Sequence, residues 1–411
     1  MNNFIERFQN RTLHEALTTR RVVLLAGARQ CGKTTMAKQL KLSDATYRTL
    51  DDQSHRKSAE HDTLGFVTSA YKTMIIDEIQ RVPTLLTAIK QVVDENTRYG
   101  QFLLTGSANL NALPSVQESL AGRVKKVRLR TLTQAEINGV QPNFLKTAFS
   151  QNFYDLKISQ TKAEILEYCF RGGYPEVLSM SARNRRSWHE DYIKALLEHD
   201  LKDVAKIHQH KAMDDLVKIL CAWTGKFLDM SAIGSHLAIS RVTLDAYFNA
   251  LETLFVIDRV NPWIKVDYQR LGRQSKLFIT DTGLVCSLLR WQYDQVLLDS
   301  DRSGKIIETF VFNELSTFVD VSDGEFSMTH YRDRAGREVD FIIERDDGAV
   351  LGIEVKAGSN VGAGDFKHLL WLQKNLNSEY PFIGVVLYTG SHVLPFGKNL
   401  WAVPMGNLWQ M

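Results

Sequence analysis

The organisation of the chain follows from one segment, residues 22–35, which read VVLLAGARQCGKTT. The apolar run over residues 22–26 predicts a buried strand, and the run over residues 35–42 predicts a helix. Residues 27–34 have the spacing G-x-x-x-x-G-K-T, which is typical of a loop that cradles phosphates between a strand and a helix. We therefore predict that a nucleotide binds here; the alternative is a glycine-rich turn without a ligand.

Each residue type in this loop has a chemical reason. Gly27 and Gly32 let the backbone turn tightly, so that N–H groups and the positive end of the following helix point at the phosphates. Lys33 is predicted to neutralise phosphate charge during catalysis, and Thr34 to place its hydroxyl on Mg²⁺. The predicted nucleotide-binding residues are Gly27, Ala28, Arg29, Gln30, Cys31, Gly32, Lys33, Thr34 and Thr35.

Residues 73–78, TMIIDE, predict a second apolar strand that ends in two acids. Asp77 is placed to hold Mg²⁺ through water, and Glu78 to polarise the water that attacks the γ-phosphate. The acidic pair follows the glycine-rich loop by about forty residues, which strengthens both assignments. Because no N-K-x-D motif for guanine follows, we predict that the cofactors are ATP and Mg²⁺.

A third strand, predicted within residues 101–109, breaks into a polar turn that contains Thr105, Ser107 and Asn109. At the carboxyl edge of a parallel sheet these side chains would sense the γ-phosphate or position water. Ser107 is the catalytic candidate among them, and a plain strand-to-loop turn is the equal alternative. Arg123, at the end of residues 118–123, is predicted to be a catalytic finger supplied to a neighbour in a homo-oligomer; the alternative is a surface ion pair.

Composition places the chain among ordinary globular proteins. Its 411 residues are 44% hydrophobic and 24% charged, which predicts two or three domains. A net charge of +3 argues neither for nor against nucleic acid. The four cysteines lack C-x-x-C spacing, so no zinc site or dense disulfide framework is evident. With neither an apolar leader nor a membrane-length apolar run, we expect a soluble, cytoplasmic protein without membrane contact.

The middle of the chain, residues 152–261, has mainly helical periodicity. Residues 231–254 predict a helix-turn-helix, and residues 255–260 and 263–266 predict the strands of a β wing. The exposed face of the second helix is poor in Lys and Arg, although phosphate contacts carry most DNA affinity. DNA contact and a packing lid therefore both stay open for this module. Arg171 is either a lid arginine near the phosphates or a structural residue at a helix end.

The last part of the chain has the acidic pattern of restriction-type nucleases. A hairpin turning at residues 335–336 would bring Asp340 beside Glu354, which shares a strand face with Lys356. Asp340 and Glu354, with Glu308 as a third acid, are predicted to hold Mg²⁺, and Lys356 to orient or deprotonate water. The alternative is an endonuclease-like fold used for DNA binding or packing, in which these charges form a buried ion cluster.

These motifs together resemble a known group, the prokaryotic AAA+-like P-loop ATPases of the AAA_14 type with a C-terminal DUF4143 region. The segments that carry the resemblance are residues 27–34, 74–78, 103–107, 119–123, 172–176 and 354–356. The resemblance implies an α/β fold with a doubly wound AAA+-like sheet, then a helical and winged-helix-like domain, then a restriction-endonuclease-like PD-(D/E)xK domain. We assign these domains to residues 1–150, 151–270 and 271–411.

Two functions follow as expectations. The first is a Mg²⁺-dependent ATP hydrolase that couples ATP binding and hydrolysis to DNA binding, remodelling or processing. The second is a nucleotide-dependent switch or scaffold that acts on a protein partner and has an inactive nuclease-like domain. ATPase rates with and without DNA distinguish them.

Overall fold

The computed structural model describes most of the 411 residues. The described ranges are 4–42, 44–68, 70–107, 122–141, 143–153, 160–201, 210–263, 274–322, 324–376 and 381–410. Asn109, residues 118–121 next to the predicted finger, and residues 264–266 of the second wing strand lie outside them.

The amino-terminal region is built on a five-stranded parallel sheet, in the order β2-β3-β4-β1-β5. Its strands are β1 (Val22–Ala26), β2 (Ala45–Thr49), β3 (Thr73–Asp77), β4 (Phe102–Gly106) and β5 (Val124–Arg128). Every residue of β1, β3 and β4 is buried, as continuous apolar runs predict for a covered parallel sheet. Because all pairs are parallel, the carboxyl ends of the strands meet at one edge, and the predicted α/β fold is confirmed.

Short helices connect and cover these strands. They are α1 (Gln9–Thr19), α2 (Lys33–Gln39), α3 (Gln53–His61), α4 (Thr63–Val67), α5 (Leu85–Glu95), α6 (Gln134–Asn138) and α7 (Phe144–Ser150). The helical periodicity of residues 55–71 predicts one helix, but the structure has two, α3 and α4. Asp62 leaves helical geometry, and its carboxylate caps α4 by accepting from the Gly65 N–H. Helix α2 ends at Gln39, three residues before the predicted end at Leu42, because the backbone of Leu40 is extended.

The middle region is mainly helical and contains a small antiparallel sheet. Its elements are α8 (Lys162–Arg171), α9 (Ala182–Ala195), α10 (His210–Trp223), β6 (Lys226–Phe227), α11 (Met230–Leu237), α12 (Arg241–Thr253), β7 (Ile257–Val260) and β8 (Lys276–Ile279). A π-helical turn, Leu196–Asp200, continues α9. The sheet has the order β6-β8-β7, so a domain division after residue 270 cuts through it.

The carboxyl-terminal region contains three helices followed by a six-stranded mixed sheet. The elements are α13 (Thr282–Leu288), α14 (Tyr293–Leu298), α15 (Ser300–Val321), β9 (Phe326–Arg332), β10 (Glu338–Arg345), β11 (Val350–Lys356), α16 (Lys367–Asn375), β12 (Phe382–Tyr388), β13 (Leu394–Gly397) and β14 (Leu400–Pro404). Strands β9, β10 and β11 pair antiparallel, whereas β11 pairs parallel with β12. The predicted hairpin turn lies at Gly336, whose φ of 77° favours glycine.

The three regions share one hydrophobic core. A cluster of buried apolar side chains extends from Leu13 of α1 to Trp409 near the carboxyl end. Trp401 and Trp409 belong to it. Asp258 of β7 joins the regions by accepting from Arg128 at 2.9 Å and from Arg130 at 2.6 Å. Within the described ranges no helix is long and apolar enough to span a membrane.

Candidate functional site

Two glycines shape the loop between β1 and α2. Gly32 has a φ of 105°, a left-handed conformation that L side chains rarely adopt. A Cβ on Gly27 would lie 2.1 Å from the carbonyl oxygen of Leu129, so a side chain at this position would collide with the backbone. The backbone geometry therefore requires glycine at both of these positions of the predicted phosphate loop.

Lys33 begins α2 and directs its side chain back into the loop. Its Nζ donates to the carbonyl oxygens of Gly27 at 3.0 Å and Ala28 at 2.8 Å, and the residue is 4% exposed. Both acceptors are neutral, so they do not cancel the ammonium charge. The loop thus surrounds a positive charge, as a site for phosphate requires.

Thr34 and Asp77, the predicted magnesium pair, are in direct contact. The Thr34 hydroxyl donates to the Asp77 carboxylate at 3.0 Å, and Asp77 is 2% exposed at the end of β3. Asp77 also accepts from Tyr47 Oη at 2.7 Å and from Thr105 Oγ1. A hydroxyl beside a fixed carboxylate is a donor set that fits the hard cation Mg²⁺.

Tyr47 is a member of this site that the sequence analysis missed. It lies on β2, which pairs in parallel with β3, two residues before the strand ends. Burial raises the pKa of the Tyr47 hydroxyl, and the hydrogen bond to Asp77 raises it further. The hydroxyl therefore stays protonated and donates to Asp77. Its position near the end of a strand was the sequence signal that could have marked Tyr47 as a residue of this site.

Glu78 follows β3 with a left-handed backbone, φ 59° and ψ 48°, which is uncommon outside glycine. Its N–H donates to Thr105 Oγ1 at 3.1 Å. Gln80 Nε2 donates both to the Glu78 carboxylate and to Ser107 Oγ, the latter at 2.9 Å. Thr105 and Ser107 at the end of β4 are thus linked to the acidic pair, and Gln80 is a further residue that the motif did not reveal.

The remaining loop residues connect the site to its surroundings. Arg29 forms an ion pair with Asp200 in the π-helical turn, with Nη1 and Oδ2 3.0 Å apart. Tyr192 Oη donates to the Arg29 carbonyl at 3.3 Å. Cys31 is fully buried and its Sγ donates to the Leu129 carbonyl at 3.4 Å, which suits a small loop filler.

Arg7 supports the loop from behind. Its guanidinium donates to the Cys31 carbonyl at 2.8 Å, the Arg130 carbonyl at 2.7 Å and Glu136 Oε1 at 3.0 Å. The residue is 4% exposed, and no sequence motif marked it. The segment before α1 therefore fixes the loop through a buried, charge-assisted contact.

Residues 171–176 pack beside the loop without placing an arginine on it. Arg171 ends α8 and donates through Nη2 to Gln134 Oε1 at 2.5 Å, in keeping with the structural alternative. The Gly173 N–H donates to Asp281 Oδ2 at 2.7 Å. Pro175 Cγ would lie 4.0 Å from a Cβ on Gly32, so this segment borders the phosphate loop.

Arg123 lies at the opposite edge of the sheet from the phosphate loop. It directly precedes β5, and its carbonyl accepts from the Val22 N–H at the start of β1. The length of β1 separates it from the loop by about 17 Å at 3.3 Å per residue. Its guanidinium donates to Asp94 at 3.1 Å. Within one chain, Arg123 therefore does not reach the loop, so a finger role would require a neighbouring subunit.

The predicted carboxyl-terminal acids gather around an ammonium group. Lys276 Nζ lies 2.6 Å from Glu308 Oε1, 3.0 Å from Glu338 Oε1 and 3.0 Å from Asp340 Oδ1. Lys356 Nζ is 3.8 Å from Glu354 Oε2. Lys276 and Glu338 were missed by the sequence analysis, because neither belongs to the D…E-x-K pattern.

This arrangement does not fit the Mg²⁺ that the nuclease resemblance implies at Asp340, Glu354 and Glu308, because Glu308 and Asp340 contact an ammonium group instead. In the part of the chain that the structure describes, no group of three or more His, Cys, Asp or Glu residues is arranged to hold a metal ion. Burial raises the pKa of Glu354 well above its usual value and that of Glu308 to about 8. Burial opposes ionisation of Asp340 too, yet the Lys276 ammonium lowers its pKa.

Family models divide the chain into three matched segments. Residues 19–138 match AAA_14, described as an AAA domain. Residues 303–408 match DUF4143, a domain of unknown function. The chain carries an AAA_14 domain and a DUF4143 region. The resemblance drawn from the motifs is thereby confirmed, and residues 162–295 between the two match DUF8612, another domain of unknown function.

Known relatives and structures add the following likenesses. The chain is 26% identical to the uncharacterized proteins Rv2008c of Mycobacterium tuberculosis and Mb2031c of Mycobacterium bovis, over 95% of this chain and 82% of each relative. A RuvB variant of Thermotoga maritima is 20% identical, with a TM-score of 0.28 over 61% of this chain and 88% of that one. AMPPCP-bound DnaA from Aquifex aeolicus is 13% identical, with a TM-score of 0.30 over 61% and 90%.

Helices α11 and α12 lie where a helix-turn-helix is predicted, between the AAA_14 domain and the DUF4143 region. On α12, Arg241 Nε donates to Asp245 at 3.0 Å. Arg259 of β7 forms an ion pair with Glu252 of the same helix. The arginines on this face are therefore partly neutralised by neighbouring acids, which weakens the electrostatic case for DNA contact.

Proposed function

We propose that the chain is a Mg²⁺-dependent ATP hydrolase whose AAA_14 domain binds and hydrolyses the nucleotide. One observation carries the proposal: Lys33, Thr34, Asp77 and Glu78 converge at the carboxyl edge of the parallel sheet, beside a loop shaped by two required glycines. Ligands of open α/β sheets bind at this edge.

The roles of the side chains follow from their contacts. Lys33 exchanges its bonds to the Gly27 and Ala28 carbonyls for bonds to phosphate oxygens. Thr34 and Asp77 supply oxygen ligands for Mg²⁺, which when bound offsets the charge of the transferred phosphoryl group. Glu78 orients and deprotonates the attacking water.

The polar residues at the end of β4 hold the acidic pair in place through hydrogen bonds. Thr105 contacts both Asp77 and the Glu78 N–H, and Gln80 joins Glu78 to Ser107. We assign Ser107 to the catalytic group because a change at the γ-phosphate position would reach it through Gln80 and Glu78. The left-handed backbone of Glu78 is consistent with a functional constraint at this residue.

We further propose three functional regions, residues 1–150, 151–270 and 271–411, with β8 as the joint between the second and the third. The Arg29–Asp200 ion pair and the Tyr192 contact connect the nucleotide loop to the middle region. Phosphate binding competes with Asp200 for the Arg29 guanidinium. Nucleotide turnover would thereby break and re-form this ion pair with the middle region. The same region contains the winged-helix-like pair of helices α11 and α12.

DNA is the proposed target of this coupling, through the winged-helix-like and restriction-endonuclease-like regions. We expect Mg²⁺-dependent phosphate release by the full-length protein to rise severalfold when duplex or single-stranded DNA is added at low salt. Raising the salt concentration should reverse the rise, because it suppresses phosphate contacts. A protein that neither binds DNA nor changes its ATPase rate under these conditions would contradict DNA coupling, while ATP hydrolysis itself would still stand.

The second candidate is a nucleotide-dependent switch or scaffold that acts on a protein partner. Two observations favour it: Arg241 of α12 and Arg259 of β7 are both paired with acids, and an ammonium group lies at the DUF4143 acids. It predicts slow ATP turnover that is insensitive to DNA. A difference in protein-partner binding between the ATP-bound and ADP-bound states would support it, and equal binding would count against it.

The proposed homo-oligomer can be tested through Arg123. We expect Arg123→Ala to lower ATPase activity, and mixing it with Lys33→Ala to restore part of the activity. Mixed assemblies contain sites that combine an intact Lys33 with the neighbour's intact Arg123. The matched control is Arg98→Ala, an exposed arginine on the loop before β4. Activity of the mixture equal to the average of its two components would exclude a finger acting between subunits.

A further inference from the structure

Lys276 is a buried cation that belongs to one sheet and neutralises acids of other elements. It begins β8 of the small middle sheet, and its side chain is 2% exposed. Its ammonium contacts Glu308 on α15 and Glu338 and Asp340 on β10, at 2.6 to 3.0 Å. A buried ammonium needs such compensation, since its transfer out of water is otherwise costly.

The ammonium stands where a cation shared by these carboxylates would lie. Mg²⁺ binds oxygen ligands at about 2.0–2.1 Å and demands near-octahedral geometry. The observed distances around Lys276 are instead those of charge-assisted hydrogen bonds. The second oxygen of Asp340 is also engaged, because Oδ2 accepts from the Val355 N–H at 2.9 Å.

Neighbouring contacts keep the lysine in place. The ring of Phe227 lies 5.5 Å from Lys276 Nζ, and the guanidinium of Arg332 lies 4.1 Å from the same ring. Close by, the backbone N–H of Trp263 donates to the His330 carbonyl at 2.7 Å, and His330 Nε2 lies 3.0 Å from the Gln274 carbonyl. The segments that follow β7 and precede β8 are therefore both hydrogen-bonded to His330 of β9.

We propose that Lys276 is a built-in cation that takes the place of a divalent metal in the DUF4143 region. The cluster then functions as a charged joint between the middle sheet and the carboxyl-terminal sheet, and it does not support metal-dependent cleavage of nucleic acid. This assignment is independent of ATP hydrolysis in the AAA_14 domain. The proposal differs from what the nuclease resemblance implies. The acids of the nuclease pattern are present, but the Lys276 ammonium occupies the position that a metal ion would take.

Manganese binding tests the proposal directly. The Asp77→Asn variant provides the background, because it removes the proposed cation ligand of the nucleotide loop. In this background and without nucleotide, we expect Mn²⁺ titration followed by electron paramagnetic resonance to detect no bound ion at the DUF4143 acids. Adding Lys276→Met should create one Mn²⁺ site per chain, and adding Asp340→Asn to that variant should remove it. A folded Lys276→Met variant that binds no Mn²⁺ would overturn the proposal.

A second measurement does not depend on the folding of the Lys276→Met variant. The melting temperature of the Asp77→Asn protein should stay unchanged in millimolar Mg²⁺ or Mn²⁺, because a metal stabilises a fold only where it binds. The otherwise unaltered protein should also show no Mg²⁺- or Mn²⁺-dependent DNA cleavage. The proposal fails if the melting temperature rises and Asp340→Asn abolishes the rise, or if cleavage occurs and Glu354→Gln abolishes it.

Discussion

Replacing Glu78 with glutamine should slow ATP turnover by about 10²- to 10⁴-fold and leave ATP affinity unchanged, because general-base catalysis is lost while the binding loop is intact. The glutamine carbonyl can still accept the hydrogen bond that Gln80 donates to Glu78. It cannot take a proton from water. Phosphate release under steady-state conditions and nucleotide titration by calorimetry measure the two quantities separately.

Glu95→Gln is the matched control for this prediction. Glu95 ends α5 on the exposed surface, where its carboxylate accepts from Gln91 at 3.2 Å. The same change of charge there should alter neither turnover nor binding. If the Glu78 variant hydrolyses ATP at a rate within about twofold of the unaltered protein, less than the range expected for a lost general base, the water-activating role belongs to another residue.

The amino-terminal sheet and the edge that carries the site were predictable because the relevant signals are local. The apolar run before Gly27 and the run that ends at Asp77 each define one strand, and parallel strands bring their carboxyl ends together. Contact between Thr34 and Asp77 follows from that geometry although 43 residues separate them in the chain. The loop glycines were equally readable, since spacing alone marks a tight turn.

Residues that act across long distances in the chain left no comparable signal. Arg7 contacts Glu136, 129 residues away, and Lys276 contacts Asp340, 64 residues away. Arg7 and Lys276 each belong to a segment without a recognisable motif. Side chains alternate between the two faces of a strand, which places Asp340 on one face of β10. This alternation does not reveal which cation contacts Asp340.

One missed helix boundary was readable in principle. Asp62 precedes the turn that becomes α4 and caps it through the Gly65 N–H, a common role for aspartate at a helix start. The prediction of one helix over residues 55–71 gave too much weight to helical periodicity. The pairing of β7 with β8 across residue 270 left no signal of this kind, since it depends on contacts that no local pattern reports.

The second large effect concerns the phosphate loop itself. Lys33→Ala should lower ATP affinity by about 10- to 100-fold, the range expected when a hydrogen bond to a charged group is lost. Calorimetric titration with a non-hydrolysable ATP analogue measures the affinity directly. Lys41→Ala, an exposed lysine just beyond α2, is the control and should bind as tightly as the unaltered chain. Circular dichroism spectra that match across the three proteins exclude unfolding as the cause.

The structure makes this test sharper than the motif alone does. Without nucleotide, the Lys33 ammonium donates hydrogen bonds to the Gly27 and Ala28 carbonyls. In the Lys33→Ala variant these two carbonyl oxygens accept hydrogen bonds from water instead. Since a carbonyl repels phosphate whereas the ammonium attracts it, the variant loop loses an attraction and exposes a repulsion. The affinity should therefore fall more at low ionic strength than at high. An affinity that is unchanged at both would refute the assignment of residues 27–34 as the phosphate site.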